Sequence, residues 1–189
     1  MIFKVFGVQV KVHFLFTAVI SLLLCVDRHN VVVYSLLSVA IHEAGHLAVM
    51  LLCGSKPRQI ALCPCGVLID CDDYSLGLKQ KILIAAGGPA FNLLPALFMS
   101  GSVFKTAMLV NGFFNLLPVV CTDGGDIVEY ICQIINNEII SKTIKIIANM
   151  LFIVTLSVFG VLLFIKSFNP TLLAAAIYTF IMFLSAIKN

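Results

Sequence analysis

Charge is what this sequence has least of. Only 11% of its 189 residues are Asp, Glu, Lys or Arg, against 61% hydrophobic residues, and the mean hydropathy is +1.10. A soluble domain of this length needs a polar surface that such a composition cannot supply, so the chain reads as an integral membrane protein. The net charge of +3 is small and dispersed, which argues against a nucleic-acid partner. Seven cysteines follow no secreted-domain pattern, and an odd number leaves one unpaired, so no disulfide framework is expected. No small-x-small cleavage site follows the first apolar run. Leu24 stands before Cys25 where processing favours small residues, and an uncleaved first span is expected. Internal repeats and low-complexity tracts are missing too, and a single transmembrane domain over 1–189 is expected, with no attached soluble domain.

What is present is a series of apolar runs about twenty residues long, the length that crosses a ~30 Å hydrocarbon core at a rise of 1.5 Å per residue. The expected spans are His13–Val26, Val31–Cys53, Ile82–Met99, Val103–Val120, Thr143–Ile165 and Pro170–Ile187. Residues 1–11 alternate loosely and read as a strand-like interfacial lead. Asp27–Asn30 form a turn. Between the second and third spans, Gly54, Pro57, Pro64 and Gly66 break helices around IALCPCGVLID, which reads as a small membrane-associated β-hairpin, followed by a polar stretch with Asp70, Asp72 and Asp73. A linker over about Asp126–Lys142 is expected to hold a short amphipathic helix. The fold class is therefore an all-α polytopic membrane protein of six transmembrane helices plus that hairpin. Six spans put both termini on one side. Lys4, Lys11, Lys56, Arg58, Lys79, Lys81, Lys142, Lys145 and Lys188 fall on that side; only Arg28, Lys105 and Lys166 fall on the other. By the positive-inside rule both termini of this multi-pass cell-membrane protein are cytoplasmic.

Ionisable groups inside hydrocarbon are candidates for function by default. Ser38 to Leu52 reads SVAIHEAGHLAVMLL and carries His42, Glu43 and His46 within the second span. HExxH on a helix puts both imidazoles on one face, spaced for two ligands of one zinc ion, with the Glu placed as general base for a zinc-activated water. A catalytic zinc needs a third protein ligand. His29 sits in the outside turn and His13 opens the first span as an interfacial residue, so both are poor thirds, and Asp123 at the cytoplasmic end of the fourth span is the best carboxylate. Pro118 and Gly124-Gly125 are expected to unwind the backbone there. His46 lies on the order of 10 Å from the cytoplasmic end of its span, a depth that Gly87–Asn92 and Asp123 share. Asn115, two turns before Asp123, offers an amide for an oxyanion or a substrate backbone group. Gly87-Gly88-Pro89 also reads simply as close helix packing, and Asn115 as an interhelical hydrogen bond. The cysteines at 63, 65 and 71 read as ordinary thiols, and Cys121 lies near Asp123.

HEAGH at 42–46, GGPAFN at 87–92 and NLLPVVCTDGG at 115–125 together resemble the site-2 protease family of intramembrane zinc metalloproteases. The six-span plan is similar to its sporulation branch, the stage IV sporulation factor B group, which releases a membrane-tethered sigma factor precursor. The resemblance runs from about Phe3 to Ile187. It implies an endopeptidase holding one zinc ion per chain through His42, His46 and Asp123, with Glu43 as the base. It also implies Asn115 as a substrate or transition-state contact and the Gly87–Asn92 segment as a structural turn beside the site. The implied partners are a membrane-tethered protein substrate and regulatory membrane proteins. Two departures stand out. Val119-Val-Cys-Thr122 replaces the Pro-rich stretch that many members carry before the ligand Asp. The nucleotide-binding domain that the sporulation branch often appends has no counterpart after Ile187, so ATP-linked regulation through it is not expected. A rival reading is a non-catalytic scaffold or a metal transporter built on the same ligands. The outer halves of the spans lack the acidic residues and histidines that a transport path needs.

Overall fold

The computed structural model describes residues 2–5, 8–27, 29–63, 66–71, 76–120, 122–168 and 171–188. The chain divides into two compact units, Met1–Asn115 and Leu116–Asn189.

The first unit opens with strands β1 (Ile2–Val5) and β2 (Val8–Val12), then helices α1 (Phe14–Val26) and α2 (Val31–Leu52). Strands β3 (Pro57–Cys63) and β4 (Gly66–Cys71) follow, then α3 (Leu78–Phe98) and α4 (Val103–Asn115). The expected hairpin is present as β3–β4, pairing Ile60 with Ile69 and Cys63 with Gly66. It is not isolated. The strand-like lead folds back as β1–β2, and β2 runs parallel to β3, with Gln9 opposite Gln59 and Val12 opposite Leu62. The result is a four-stranded sheet in the order β1-β2-β3-β4. A parallel neighbour requires a long crossover, and α1 with α2 provides it. Pro64, Cys65, Asp72 and Asp73 lie outside the described residues, as do the side chains of Cys63 and Cys71.

Asp27 starts α2 by accepting from the backbone N–H groups of Val31 and Val32 at 3.0 and 2.9 Å, donors that a helix start otherwise leaves unsatisfied. The helix meets α3 through glycine. A Cβ on Gly45 would stand 2.5 Å from the Gly87 carbonyl oxygen, and one on Gly87 would stand 2.9 Å from that of Gly45. Small residues let membrane helices approach to backbone contact. Contacts pair His42 with Asn92 and His46 with Ile84, so α2 and α3 are antiparallel. On α4, Lys105 Nζ reaches the Met99 carbonyl at the start, and Gly112 abuts Asn92 and Leu93 further on, so α4 reverses again. It therefore runs with α2: Tyr34 stacks near Phe104 at 5.8 Å, and Ser38 Oγ donates to the Ala107 carbonyl.

Two expectations are corrected here. Gly87–Asn92 is not a turn but continuous helix inside α3, which also contains Pro89 and Pro95. Each proline forfeits one backbone bond, a loss that neighbouring helices make tolerable in membrane proteins. The fourth span was expected to reach Val120, but α4 ends at Asn115. Pro118 has no N–H and disfavours helix at Leu117, and the Leu117 and Val119 carbonyls instead face the Thr122 hydroxyl.

The second unit holds α5 (Asp123–Ile134), α6 (Glu138–Ser167) and α7 (Thr171–Lys188). The amphipathic helix expected in the linker is α5, beginning three residues early. Gly124 and Gly125 do not unwind it; they form its first turn, where a Cβ on Gly124 would press on the Leu116 and Leu117 carbonyls. Glu129 on α5 pairs with Lys145 on α6. Gly160 of α6 packs on Leu173 of α7.

Among the described residues, three helices are long and apolar enough to cross a membrane: α2, α3 and most of α6. The apolar run of α1 is shorter, and α4 has 13 residues, about 20 Å at helical rise. Leu97, Phe98, Leu151 and Ile165 present most of their surface outward, as a bilayer environment allows. If the glycine contact holds the first unit together, Gly45→Ala destabilises the protein by about 1–3 kcal/mol. Gly101→Ala, which would meet nothing within 4 Å, changes stability by less than about 0.5 kcal/mol. Thermal unfolding in detergent compares the two; equal stabilities would refute the packing argument.

Candidate metal centre

The HExxH spacing places His42 and His46 one turn apart on α2, and the structure turns both toward α3. His42 is buried. The two Nε2 atoms face each other at 3.1 Å, with rings nearly perpendicular at 82°. On the far side of His46, Nδ1 lies 2.8 Å from the Ile84 carbonyl oxygen. A carbonyl only accepts, so the proton resides on Nδ1 and the lone pair is on Nε2.

His42 is arranged the same way by an amide. Its Nδ1 lies 3.4 Å from Asn92 Nδ2, while Asn92 Oδ1 is buried without a hydrogen-bond partner. A half-turn of that amide lets Oδ1 accept the Nδ1–H of His42, in the tautomer that frees Nε2. Both histidines then direct Nε2 lone pairs at one point. Lone pairs meeting at that distance repel unless a cation stands between them. Nitrogen donors backed by a carbonyl and an amide oxygen are the arrangement that orients imidazole on a metal, and imidazole suits zinc.

Gly88 keeps the point open. A Cβ there would fall 2.7 Å from His42 Nε2 and closer still to His46 Nε2. The glycine pair read from sequence as packing is therefore divided: Gly87 meets the α2 backbone, and Gly88 faces the imidazoles. Glu43, next to His42, is part-buried.

Asn115 ends α4, and its Nδ2 donates to the Asn111 carbonyl at 3.1 Å and to Asn111 Oδ1 at 3.0 Å. The amide N–H groups expected to serve substrate are thus engaged within α4. In the second unit, Asp123 opens α5, where the positive end of the helix dipole favours a carboxylate. Thr122 caps that helix by accepting from the Gly125 N–H. The preceding loop is held from α6, where buried Asn149 accepts the Val120 N–H and donates to the Lys145 carbonyl. Cys121 lies outside the described residues. Sequence reasoning missed Asn92, Gly88 and Ile84 as neighbours of the two histidines, and Asn149 as a support of the loop before Asp123. The first two lie inside a motif already singled out, but a backbone carbonyl and an asparagine 26 residues from Asp123 leave no local signal.

The fold and the paired imidazoles define a helical membrane protein carrying a zinc-suited half-site. Residues 31–108 and 102–159 match the family model of peptidase family M50, and the chain belongs to that family, a family of metalloproteases. A solved site-2 protease from Methanocaldococcus jannaschii has a similar fold, with a TM-score of 0.64 and 23% identity. The match covers 96% of this chain and 92% of that one. No curated protein sequence matches the chain.

The Asn92–His42 contact makes a direct prediction. Asn92→Leu weakens zinc binding about 10–100-fold, the usual effect of losing such a support, while Asn92→Asp, which keeps an acceptor, stays nearer wild type. Zinc competition with a chromophoric chelator in detergent measures both; wild-type affinity in the Leu variant contradicts the assignment.

Proposed function

We propose that this protein is an intramembrane zinc endopeptidase that cleaves a membrane-tethered protein near the cytoplasmic side of the bilayer. The observation that carries the reading is the pair of Nε2 atoms 3.1 Å apart in front of Gly88, beside a glutamate, in a chain of a metalloprotease family. His42, His46 and Asp123 each offer one ligand atom, and the reading makes Asp123 the third ligand of one zinc ion per chain. Bound there, zinc would supply Lewis-acid polarisation of the scissile carbonyl and an acidified water.

The chain's own residues do the rest. Ile84 and Asn92 hold the two imidazoles in the tautomer that presents Nε2. Glu43 takes the proton of the attacking water and returns it to the leaving amine. Asn115 contacts the substrate backbone. A transmembrane substrate hides its amides in its own hydrogen bonds and must unwind first. Strand β4 closes the sheet order and offers an edge to which an extended segment adds. Six spans with both termini in the cytoplasm put the site within reach of water from that side, and regulatory membrane proteins would act there. A sigma factor precursor is the kind of substrate that the sporulation-branch resemblance suggests.

Two variants test the reading. Glu43→Gln keeps zinc and fold and lowers cleavage of a co-expressed membrane-tethered transcription-factor precursor by about 10²–10⁴-fold; wild-type cleavage would falsify the mechanism. Asp123→Ala loses tightly bound zinc in elemental analysis of purified protein. Retention of one zinc per chain at wild-type affinity would remove Asp123 from the ligand set.

A further inference from the structure

The amides of α4 carry a consequence for substrate binding. Hydrogen bonding fixes which way both point. The Asn111 carbonyl can only accept, so the group of Asn115 that meets it is Nδ2. That Nδ2 also meets Asn111 Oδ1, which turns Asn111 Nδ2 away, and this nitrogen is buried with no hydrogen-bond partner. Turning the Asn111 amide over would set two donors against each other, so the stranded atom is a donor. A stranded donor at membrane depth is strongly unfavourable unless something else satisfies it.

Its place in the fold says what that is. Tyr34 stands beside Phe104 and Ser38 beside Ala107 on parallel helices. One further turn brings His42 level with Asn111, and the next brings His46 level with Asn115. Gly112 agrees, since a Cβ there would lie 3.2 Å from Cβ of Asn92, the residue paired with His42. The donor therefore shares a layer with the candidate metal centre.

We infer that Asn111 is a second substrate-binding amide: its Nδ2 donates to a backbone carbonyl of the unwound substrate, while Asn115 Oδ1, the pair's remaining acceptor, takes a substrate N–H. The two amides are in contact, with Asn115 Nδ2 3.0 Å from Asn111 Oδ1, so the donor and the acceptor they leave over lie side by side, as the N–H and C=O of an extended segment do. The assignment rests on the protease reading and adds a residue to it that none of the three motifs contains.

Asn111→Leu tests it. Leucine removes the stranded donor yet leaves the Asn111 backbone carbonyl to hold Asn115. A purely structural asparagine, or one that only holds a water, predicts a variant at least as stable as wild type with unchanged substrate binding. The probe is a fluorescent membrane-spanning peptide of leucine and alanine interrupted by Asn-Gly-Pro, bound in detergent to the zinc-loaded Glu43→Gln protein. Adding Asn111→Leu weakens binding about tenfold while zinc content and unfolding temperature hold. Unchanged peptide affinity in the double variant overturns the role of Asn111. Failure of Glu43→Gln itself to retain the peptide strikes instead at the protease reading on which that role rests.

Discussion

The first unit depends on one constraint, that two helix backbones touch where Gly45 meets Gly87. A methyl group at either position would stand within 3 Å of the opposing carbonyl oxygen. Because they touch, the Ile84 carbonyl reaches His46 and the Asn92 amide reaches His42. The same approach sets Gly88 before both Nε2 atoms, where any larger residue would fill the space that a metal needs. Packing and chemistry are therefore one arrangement here. The glycines that bring the helices together also leave the opening between the imidazoles.

The second unit addresses a different problem, holding a carboxylate at a helix start after an irregular loop. Buried backbone groups in such a loop need partners. Thr122 takes carbonyls of Leu117 and Val119, and Asn149 takes the Val120 N–H. Asp123 follows as the first residue of α5, in the favourable field of the helix end.

How much of this was legible in the sequence differs by element. The histidine pair was fully legible, because HExxH has one consequence on a helix. The hairpin was legible from its breakers and β-branched residues, but its enlargement to four strands was not, since the parallel pairing of Val10 with Ile60 joins segments some fifty residues apart. For Gly87–Asn92 the residues' own reading as helix packing inside the third span held, and the turn that the family resemblance implied did not, because between packed helices Gly-Gly-Pro is tolerated as helix. Of the six expected spans, α2, α3 and most of α6 have the required length and apolarity among the described residues. The short α4 shows how Pro118 and Thr122 override an apolar run. The Asn111–Asn115 pair was invisible, for a donor becomes stranded only once its neighbour's orientation is known.

The central claim is that two imidazoles and one carboxylate hold a zinc ion in this chain. Zinc K-edge X-ray absorption on the purified protein reads the ligand types directly. The account predicts a shell of nitrogen and oxygen at about 2.0–2.1 Å, with imidazole outer-shell scattering from two histidines and no sulfur. A zinc–sulfur distance near 2.3 Å, placing the ion on the cysteines, would contradict it.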